Sequence, residues 1–307
     1  MILRNFGRTT YRTHPLCMGG AALGDMPETF AYSVPAEDAH ATVRALFDSE
    51  INFLDTANIY GDGESERRIG HVIRERGGLP DGFVLATKAD RARETGRFDG
   101  DRAHRSIAES QKRLGLTHLQ IVYLHDFEYC DQEQILGCGG ALDVLVRYRE
   151  QGIIGALGLA AGPIPEMIAY LDRADFDCVI SHNRYTLLDR TAEPLIAECH
   201  RRAIAFVNAA PYGSGMLAKG PSAYPRYMYR EASDALVARA RACEAVCQRH
   251  GVPLPAAALQ FSLRDPRVTA TIVGMTRPER IAQTLALAAT PLPEEIWGEL
   301  VDSTASG

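Results

Sequence analysis

The 307-residue chain is short of several things that define common protein classes. No run approaches the roughly 20 apolar residues that a membrane span needs, so no membrane partner is expected. There is no excess of positive charge. The formal net charge is −6, and basic residues cluster only as short pairs such as Arg67-Arg68 and Arg201-Arg202. A nucleic-acid partner calls for a basic face and is not expected either. The stretch MILRNFGRTTYRTHP has no apolar run behind its charges, so no secretory signal is expected there. The 7 cysteines are odd in number and show neither CxxC nor a Cys/His spacing typical of zinc. Cys243 and Cys247 lie four apart on an expected helix with no second ligand pair. No metal is expected, and the thiols suit a cytoplasmic location. A dinucleotide fingerprint is missing too: MGGAALG (18–24) lacks the helix start that GxGxxG requires.

What is present is a repeating unit in a globular composition, 46% hydrophobic and 23% charged. An apolar, β-rich run is followed by a turn and then by an amphipathic, charged segment. HPLCMGG (14–20) precedes 35–50, NFLD (52–55) precedes 64–76, and FVLATK (83–88) precedes 99–115. LQIVYLH (119–125) precedes 140–152, IIGALGLA (153–160) precedes 165–174, and DCVISHN (177–183) precedes 191–203. AIAFVNAA (203–210) precedes a long loop and 232–251, and VTATIVG (268–274) precedes 277–288. Strands alternating with helices of this length indicate βαβ units and a parallel sheet. Eight at near-regular spacing favour a closed (β/α)₈ barrel over an open sheet. Residues LRNFGRTTYRTHPL read as a hairpin before the barrel, and 253–266 as an extra helix before the last strand. With no linker or low-complexity tract, residues 1–307 are expected to form one domain.

In such a barrel the C-terminal strand ends face the catalytic mouth. Here they carry Asp55, Lys88, His125, His182-Asn183 and Asn208, and the loop after the second strand adds Tyr60. Each of Asp55, Tyr60, Lys88 and His125 alone has an ordinary structural explanation, as an ion-pair partner, a loop anchor or a core histidine. Together on successive strand ends they define a chemistry. A phenol is too weak an acid to serve as a base near neutrality, and a neighbouring ammonium favours its phenolate. A carboxylate holds that ammonium, and the imidazole bonds the substrate oxygen. The set moves a proton at one oxygen, which suits hydride transfer at the carbon beside it.

These residues resemble the aldo-keto reductase superfamily. FLDTANIYGDGESERRIG (53–70) is similar to its DTAxxYGxGxSExxLG signature, and ATK (86–88) and YLHD (123–126) fit its lysine and histidine strands. NAAPYGSGMLAKG (208–220) and IVGMTRPERIAQTL (272–285) resemble its cofactor segments. The resemblance covers nearly the whole chain. It implies Tyr60, Lys88, Asp55 and His125 as catalytic residues and an NAD(P) cofactor extended across the mouth. Contacts to that cofactor are implied for Gly19, His182, Asn183, Asn208, Tyr212, Ser214, Gly274, Thr276, Arg277, Arg280 and Gln283.

Departures from the family pattern matter. Where the family has Ser-Asn after strand five to hold the carboxamide, this chain has Ala160-Ala161. His182 lines up with the usual glutamine, and Ala209 with the aromatic that stacks on the nicotinamide. Gly274 stands at the position of the lysine that meets the 2′-phosphate of NADP, which favours NAD. Arg277 and Arg280 nearby leave NADP open. Phe127 and Tyr129, just past the histidine, are expected to wall the substrate pocket. GVPLPAAALQFSLRDP and VNAAP resemble the subgroup of L-galactose, L-fucose and other D-threo-aldose 1-dehydrogenases and pyridoxal 4-dehydrogenase. That implies oxidation of an aldose at C1 to a lactone by a monomer or small homo-oligomer. Three alternatives remain: a broad NADPH-dependent aldehyde or ketone reductase, a pyridoxal 4-dehydrogenase, and a nucleotide-sensing regulatory subunit, which would hold its nucleotide without turnover.

Overall fold

The computed structural model describes residues 2–228 and 230–305. Eight parallel strands close into a barrel: β1 (Leu16–Gly19), β2 (Phe53–Asp55), β3 (Val84–Ala89), β4 (Leu119–His125), β5 (Ile154–Ala161), β6 (Cys178–His182), β7 (Ala205–Ala209) and β8 (Val268–Gly274). β8 pairs with both β7 and β1, which completes the ring. This is the (β/α)₈ barrel that the alternating pattern predicts. Helices Ala36–Phe47, Glu64–Glu75, Gly100–Leu114, Ala141–Glu150, Glu193–Arg201 and Asp234–Arg249 lie within the expected segments, and Pro278–Ala289 runs one residue past its own. The expected helix over 165–174 is the shorter Ile164–Tyr170. Beyond it Asp172 and Arg173 donate to carbonyls three residues back, which tightens the chain into a turn.

Side chains alternate across a strand, so each barrel strand serves two cores. Phe53, Val84, Ala86, Ile121, Tyr123, Ala156, Cys178, Ile180, Val207, Ala270 and Ile272 fill the interior. The intervening Leu54, Leu85, Val122, Leu124, Leu157, Leu159, Val179, Phe206 and Val273 pack outward with helix residues such as Val43, Ile69 and Ile107. Each fully buried apolar side chain contributes about 1.5–3 kcal/mol. The bulk of Tyr123 requires a gap opposite. A Cβ on Gly158 of β5 would lie 2.2 Å from the Tyr123 ring, so any larger residue there would expel it.

The expected N-terminal hairpin is present, pairing Arg4–Asn5 with Arg12–Thr13. It delivers Phe6 into the interior cluster, edge-on to Phe53 at 5.5 Å. Arg4 ties it to the start of β8 through the carbonyl of Val268 (2.5 Å) and to the end of the preceding helix through that of Leu263 (2.7 Å). One end of the barrel is thereby plugged, and the end where strands finish stays open. The extra helix before β8 is Leu254–Leu263. Elements outside the expected pattern include short helices at Pro27–Phe30, Gln132–Leu136 and Met216–Lys219, a hairpin pairing Arg226–Tyr227 with Arg230–Glu231, and a helix over Ile296–Ala305. Among the described residues no helix is long and apolar enough to cross a membrane.

Candidate active site

The interior alternation places the chemistry. Asp55 is in phase with Phe53, Lys88 with Val84 and Ala86, and His125 with Ile121 and Tyr123, so all three continue the inward-facing rows at the open end. In the parallel register Gly19 lies beside Asp55, Lys88 beside Tyr123 and His125 beside Ala160, so each of the three lies at the mouth end of its own strand. Lys88 is 2% exposed and donates to Asp55 Oδ2 at 2.6 Å and to the Thr56 carbonyl at 2.6 Å. Its Nζ lies 4.7 Å from the centre of the Tyr60 ring. Burial pushes the Asp55 carboxyl above the ordinary carboxylate range, against the opposing pull of Lys88. The Tyr60 and His125 rings meet edge-on at 6.0 Å. The four residues expected to share a site therefore do.

The loop carrying Tyr60 is held by neighbours on both sides. Gly61 follows it at φ +58, where a Cβ would lie 2.0 Å from the Gly24 carbonyl oxygen. Only glycine fits that approach. Asn58 accepts from Arg102 Nη2 at 2.9 Å and donates to the Ser106 carbonyl at 3.1 Å. Ser65 donates to the Gly20 carbonyl at 2.7 Å, and buried Glu66 accepts from Thr87 Oγ1 at 2.7 Å and from Arg113 at 3.2 Å. The Ser-Glu of the signature thus braces the loop from behind.

Asp90 is the member that sequence reasoning misses. It lies just beyond β3, is 1% exposed, and approaches His125 Nδ1 with Oδ1 at 2.6 Å. Its parity was the available signal, because residue 90 continues the inward row of 84, 86 and 88. On the other side of the ring Nε2 lies 3.3 Å from Asp126. Burial alone would lower the His125 pKa, but Asp90 and then Asp126 outweigh it, and the net shift is upward.

The expected cofactor residues divide. His182 ends β6 at the mouth, and burial followed by Arg184 lowers its pKa to about 4, so its ring is neutral near pH 7. Asn183 is fully buried. Its Oδ1 is 3.4 Å from Ser214 Oγ, while its Nδ2 has no protein partner. The Tyr212 hydroxyl is also buried without a protein partner, and burial raises its pKa against the field of Arg280. Gly274 ends β8 beside Gly19, exposed, with open space where a side chain would start. Thr276 follows. Arg277 caps the Pro278–Ala289 helix, and Arg280 donates to Gln283 at 3.2 Å. Orphaned amide and hydroxyl groups, a glycine shelf and a cationic helix N-terminus fit a nicotinamide dinucleotide. Ala160 and Ala161 end β5 with no polar side chain, and the polar neighbour there is Glu128, which accepts from the Gly162 N–H at 2.8 Å.

Two expectations are corrected. Phe127 does not wall a pocket: it is 1% exposed, belongs to the outer core, and stacks on Tyr170 at 3.9 Å. Tyr129 does stay at the surface, with Arg91 5.0 Å over its ring. Asn208 is not free to meet a cofactor through its amide hydrogens. It alternates out of phase with Val207 and Ala209, points outward, and donates to the Tyr185 carbonyl and Ser262 Oγ, both at 2.8 Å. Shape alone would mislead as well. An open groove of about 1180 Å³ between residues 187–191 and the segments 227–228 and 230–239 contains none of the four convergent residues.

A barrel with an acid, a lysine, a tyrosine and a histidine at its open end defines a class. Residues 15–304 match the model of the Aldo/keto reductase family, and the chain belongs to that family. It is an oxidoreductase that uses a nicotinamide cofactor and acts on a small molecule. Among named proteins it is 33% identical over 293 residues to a D-threo-aldose 1-dehydrogenase of Pseudomonas sp., covering 87% of this chain and 88% of that one. It is 29% identical to a pyridoxal 4-dehydrogenase of Microbacterium luteolum (97% and 96% covered) and 28% identical to an L-galactose dehydrogenase of Arabidopsis thaliana (92% and 87%). The fold matches the holo form of an aldo-keto reductase from Bacillus halodurans with a TM-score of 0.77 at 21% identity, covering 99% and 96% of the two chains.

Proposed function

We propose that the protein oxidises an aldose of the L-fucose or L-galactose type at C1 to the lactone, with NAD⁺ as acceptor. The observation that carries the reading is the buried Lys88 ammonium, pinned by Asp55 and the Thr56 carbonyl at 2.6 Å each, beneath the Tyr60 ring. When bound, the nicotinamide supplies the hydride acceptor. Tyr60 takes the proton of the anomeric hydroxyl as the C1–H hydride leaves, so the C1–O bond becomes a carbonyl. Lys88 stabilises the phenolate form of Tyr60 by its charge. Asp55 keeps Lys88 charged and in place, and His125 bonds the same substrate oxygen. Run backwards, the same groups deliver a proton to an aldehyde oxygen.

Three kinds of support bear on substrate and cofactor. The sugar class rests on the named relatives, two of which are aldose dehydrogenases. The preference for NAD rests on Gly274, which offers no cation to a 2′-phosphate. His182, Asn183, Tyr212, Ser214, Thr276, Arg277, Arg280 and Gln283 would hold the dinucleotide, with backbone groups replacing the missing Ser-Asn. A cytosolic location is in keeping with seven free thiols. Initial rates with NAD⁺ and with NADP⁺ against L-fucose, L-galactose, D-arabinose, D-glucose and pyridoxal test the reading. Strong NAD⁺ turnover on sugars sharing the L-galactose ring configuration is expected. Turnover confined to pyridoxal, or silence on every oxidation with NADPH consumed by simple aldehydes, would overturn the substrate assignment.

A further inference from the structure

One buried carboxylate joins two parts of the site. Asp90 Oδ1 meets His125 Nδ1 at 2.6 Å, and Asp90 Oδ2 accepts the backbone N–H of Ile59, the residue before Tyr60, at 3.0 Å. The backbone of Asp90 is held as firmly. Its N–H donates to Ser106 Oγ at 3.0 Å, and its carbonyl accepts from Arg102 Nε at 2.8 Å. The main chain is thereby anchored, and the buried carboxylate bridges both partners. It clamps the imidazole at the end of β4 to the loop that carries the tyrosine.

The contact with His125 also decides where a proton sits. A neutral imidazole carries one N–H and one bare nitrogen, and its surroundings select which is which. If Nδ1 were bare, its lone pair would face a carboxylate oxygen at 2.6 Å. With a proton on Nδ1 the same contact is a short, charge-assisted hydrogen bond. The neutral ring must then leave Nε2 bare, and the cationic ring carries its second proton on Nε2. That nitrogen lies across the ring from Asp90, beside the partly exposed Asp126 at 3.3 Å.

We propose that Asp90 is a positioning residue: it keeps the proton of the neutral His125 ring on Nδ1, so that Nε2, the nitrogen on the far side of the ring from Asp90, is the atom that gains and loses a proton. Nε2 then donates a hydrogen bond to a substrate oxygen only while the ring is cationic. The groups facing this ring agree with a cation that persists. Asp90 after β3, Asp126 and Glu128 after β4, and Asp55 at the end of β2 supply negative charge, while Lys88 on β3 opposes it; His182 on β6 faces the ring as a neutral imidazole near pH 7, and Tyr60 lies edge-on. Burial opposes it as well, and the acids prevail.

The kinetic consequence rests on the oxidoreductase reading above; the proton placement does not. The test uses the full chain labelled with ¹⁵N-histidine, with imidazole ¹H–¹⁵N correlations followed from pH 5 to pH 10 without substrate. The His125 signals are assigned by their loss in His125→Ala. In the wild-type protein the neutral His125 ring is expected to carry its proton on Nδ1. In Asp90→Asn its proton affinity is expected to fall at least tenfold, with the neutral-ring proton shifting toward Nε2. A wild-type neutral ring protonated on Nε2 overturns the proposal without recourse to any variant, so misfolding of Asp90→Asn does not shield it. An unmoved His125 titration in a folded Asp90→Asn overturns it too. In the kinetic arm, reduction of propanal is followed against pH with NADH and with NADPH. The wild-type rate is expected to fall as pH rises through the His125 value measured by NMR, and the fall is expected at lower pH in Asp90→Asn. A profile that ignores the measured titration overturns the donor role of Nε2. A wild-type enzyme inactive in both directions would count against the proposed function, while the NMR result still decides the proton placement.

Discussion

The substitution Gly274→Lys isolates the cofactor argument from the substrate. Gly274 is exposed at the end of β8, outside the left-handed backbone region, and a Cβ there meets no atom within 4 Å. The fold should therefore accept a side chain, and losing glycine freedom in the unfolded chain even favours folding slightly. A lysine at that rim adds one cation within reach of a 2′-phosphate carrying about −1.5 to −2 charges. At about 4 Å in water each unit of charge is worth about 1 kcal/mol, hence about 1.5–2 kcal/mol in all. Ordering an exposed, flexible side chain cancels part of that, leaving about 1 kcal/mol. NADP⁺ should then bind about five- to tenfold more tightly while NAD⁺ changes less than twofold. Titration calorimetry with each nucleotide at low and high salt measures both affinities. Equal tightening of NAD⁺ and NADP⁺ would mean a general charge effect. An unchanged NADP⁺ affinity would mean the phosphate does not lie at β8, and the inference from Gly274 to NAD would fall.

Further expectations concern the mouth. Tyr60→Phe removes only a hydroxyl, so turnover should drop by about 100-fold or more with nucleotide affinity unchanged; parallel loss of both would show a folding residue. Lys88→Met leaves Asp55 buried without its partner and should cost about 3–5 kcal/mol of stability in urea unfolding. Adding Asp55→Asn should recover a large part of that loss, and no recovery would mean the pair is not what holds the rim. Phe127→Ala should lower stability by about 3–5 kcal/mol and leave the substrate KM nearly unmoved, whereas Tyr129→Ala should raise KM with little change in stability. His182 refuses its proton until about pH 4, whereas an unfolded imidazole titrates near 6.5. Its contribution to stability should therefore decline as pH falls from about 6.5 to about 4. Urea midpoints at pH 7 and pH 5 should converge in His182→Gln, and identical slopes in both proteins would refute the assignment.

The barrel was legible because its signal repeats. Each strand is a short apolar run between a helix end and a turn, and eight such units leave few arrangements of a parallel sheet. The N-terminal hairpin was legible from its turn residues. The hairpin at Arg226–Glu231 was not, because each strand has only two residues and no alternation can show in so short a run. The helix at Ile296–Ala305 was hidden for another reason. It packs Ile296, Trp297 and Leu300 into a satellite cluster with Cys243, Val246 and Cys247, away from the barrel, and completes no strand–helix unit.

The site shows where strand-end reasoning is sound and where it needs a second criterion. Naming the last polar residue of each strand found Asp55, Lys88 and His125, and it also found Asn208. Parity separates them. Lys88 shares its face with Val84 and Ala86, while Asn208 is flanked by the inward-facing Val207 and Ala209 and so must face the helices, where Ser262 receives it. The same count taken two residues past Lys88 reaches Asp90, which the end-of-strand rule passes over because β3 stops at Ala89. Phe127 follows a different logic. Asp126 adopts φ +50 and ends the strand's phase, and in the short 3₁₀ turn that follows, Phe127 packs into the outer core onto Tyr170. Proximity in sequence to His125 therefore predicts nothing about which way a neighbour points, whereas phase along a regular strand does. A residue such as Asp90, in phase and buried with its carboxylate on His125 and the Ile59 N–H, is where a sequence would retune the proposed chemistry while leaving the four conspicuous residues intact.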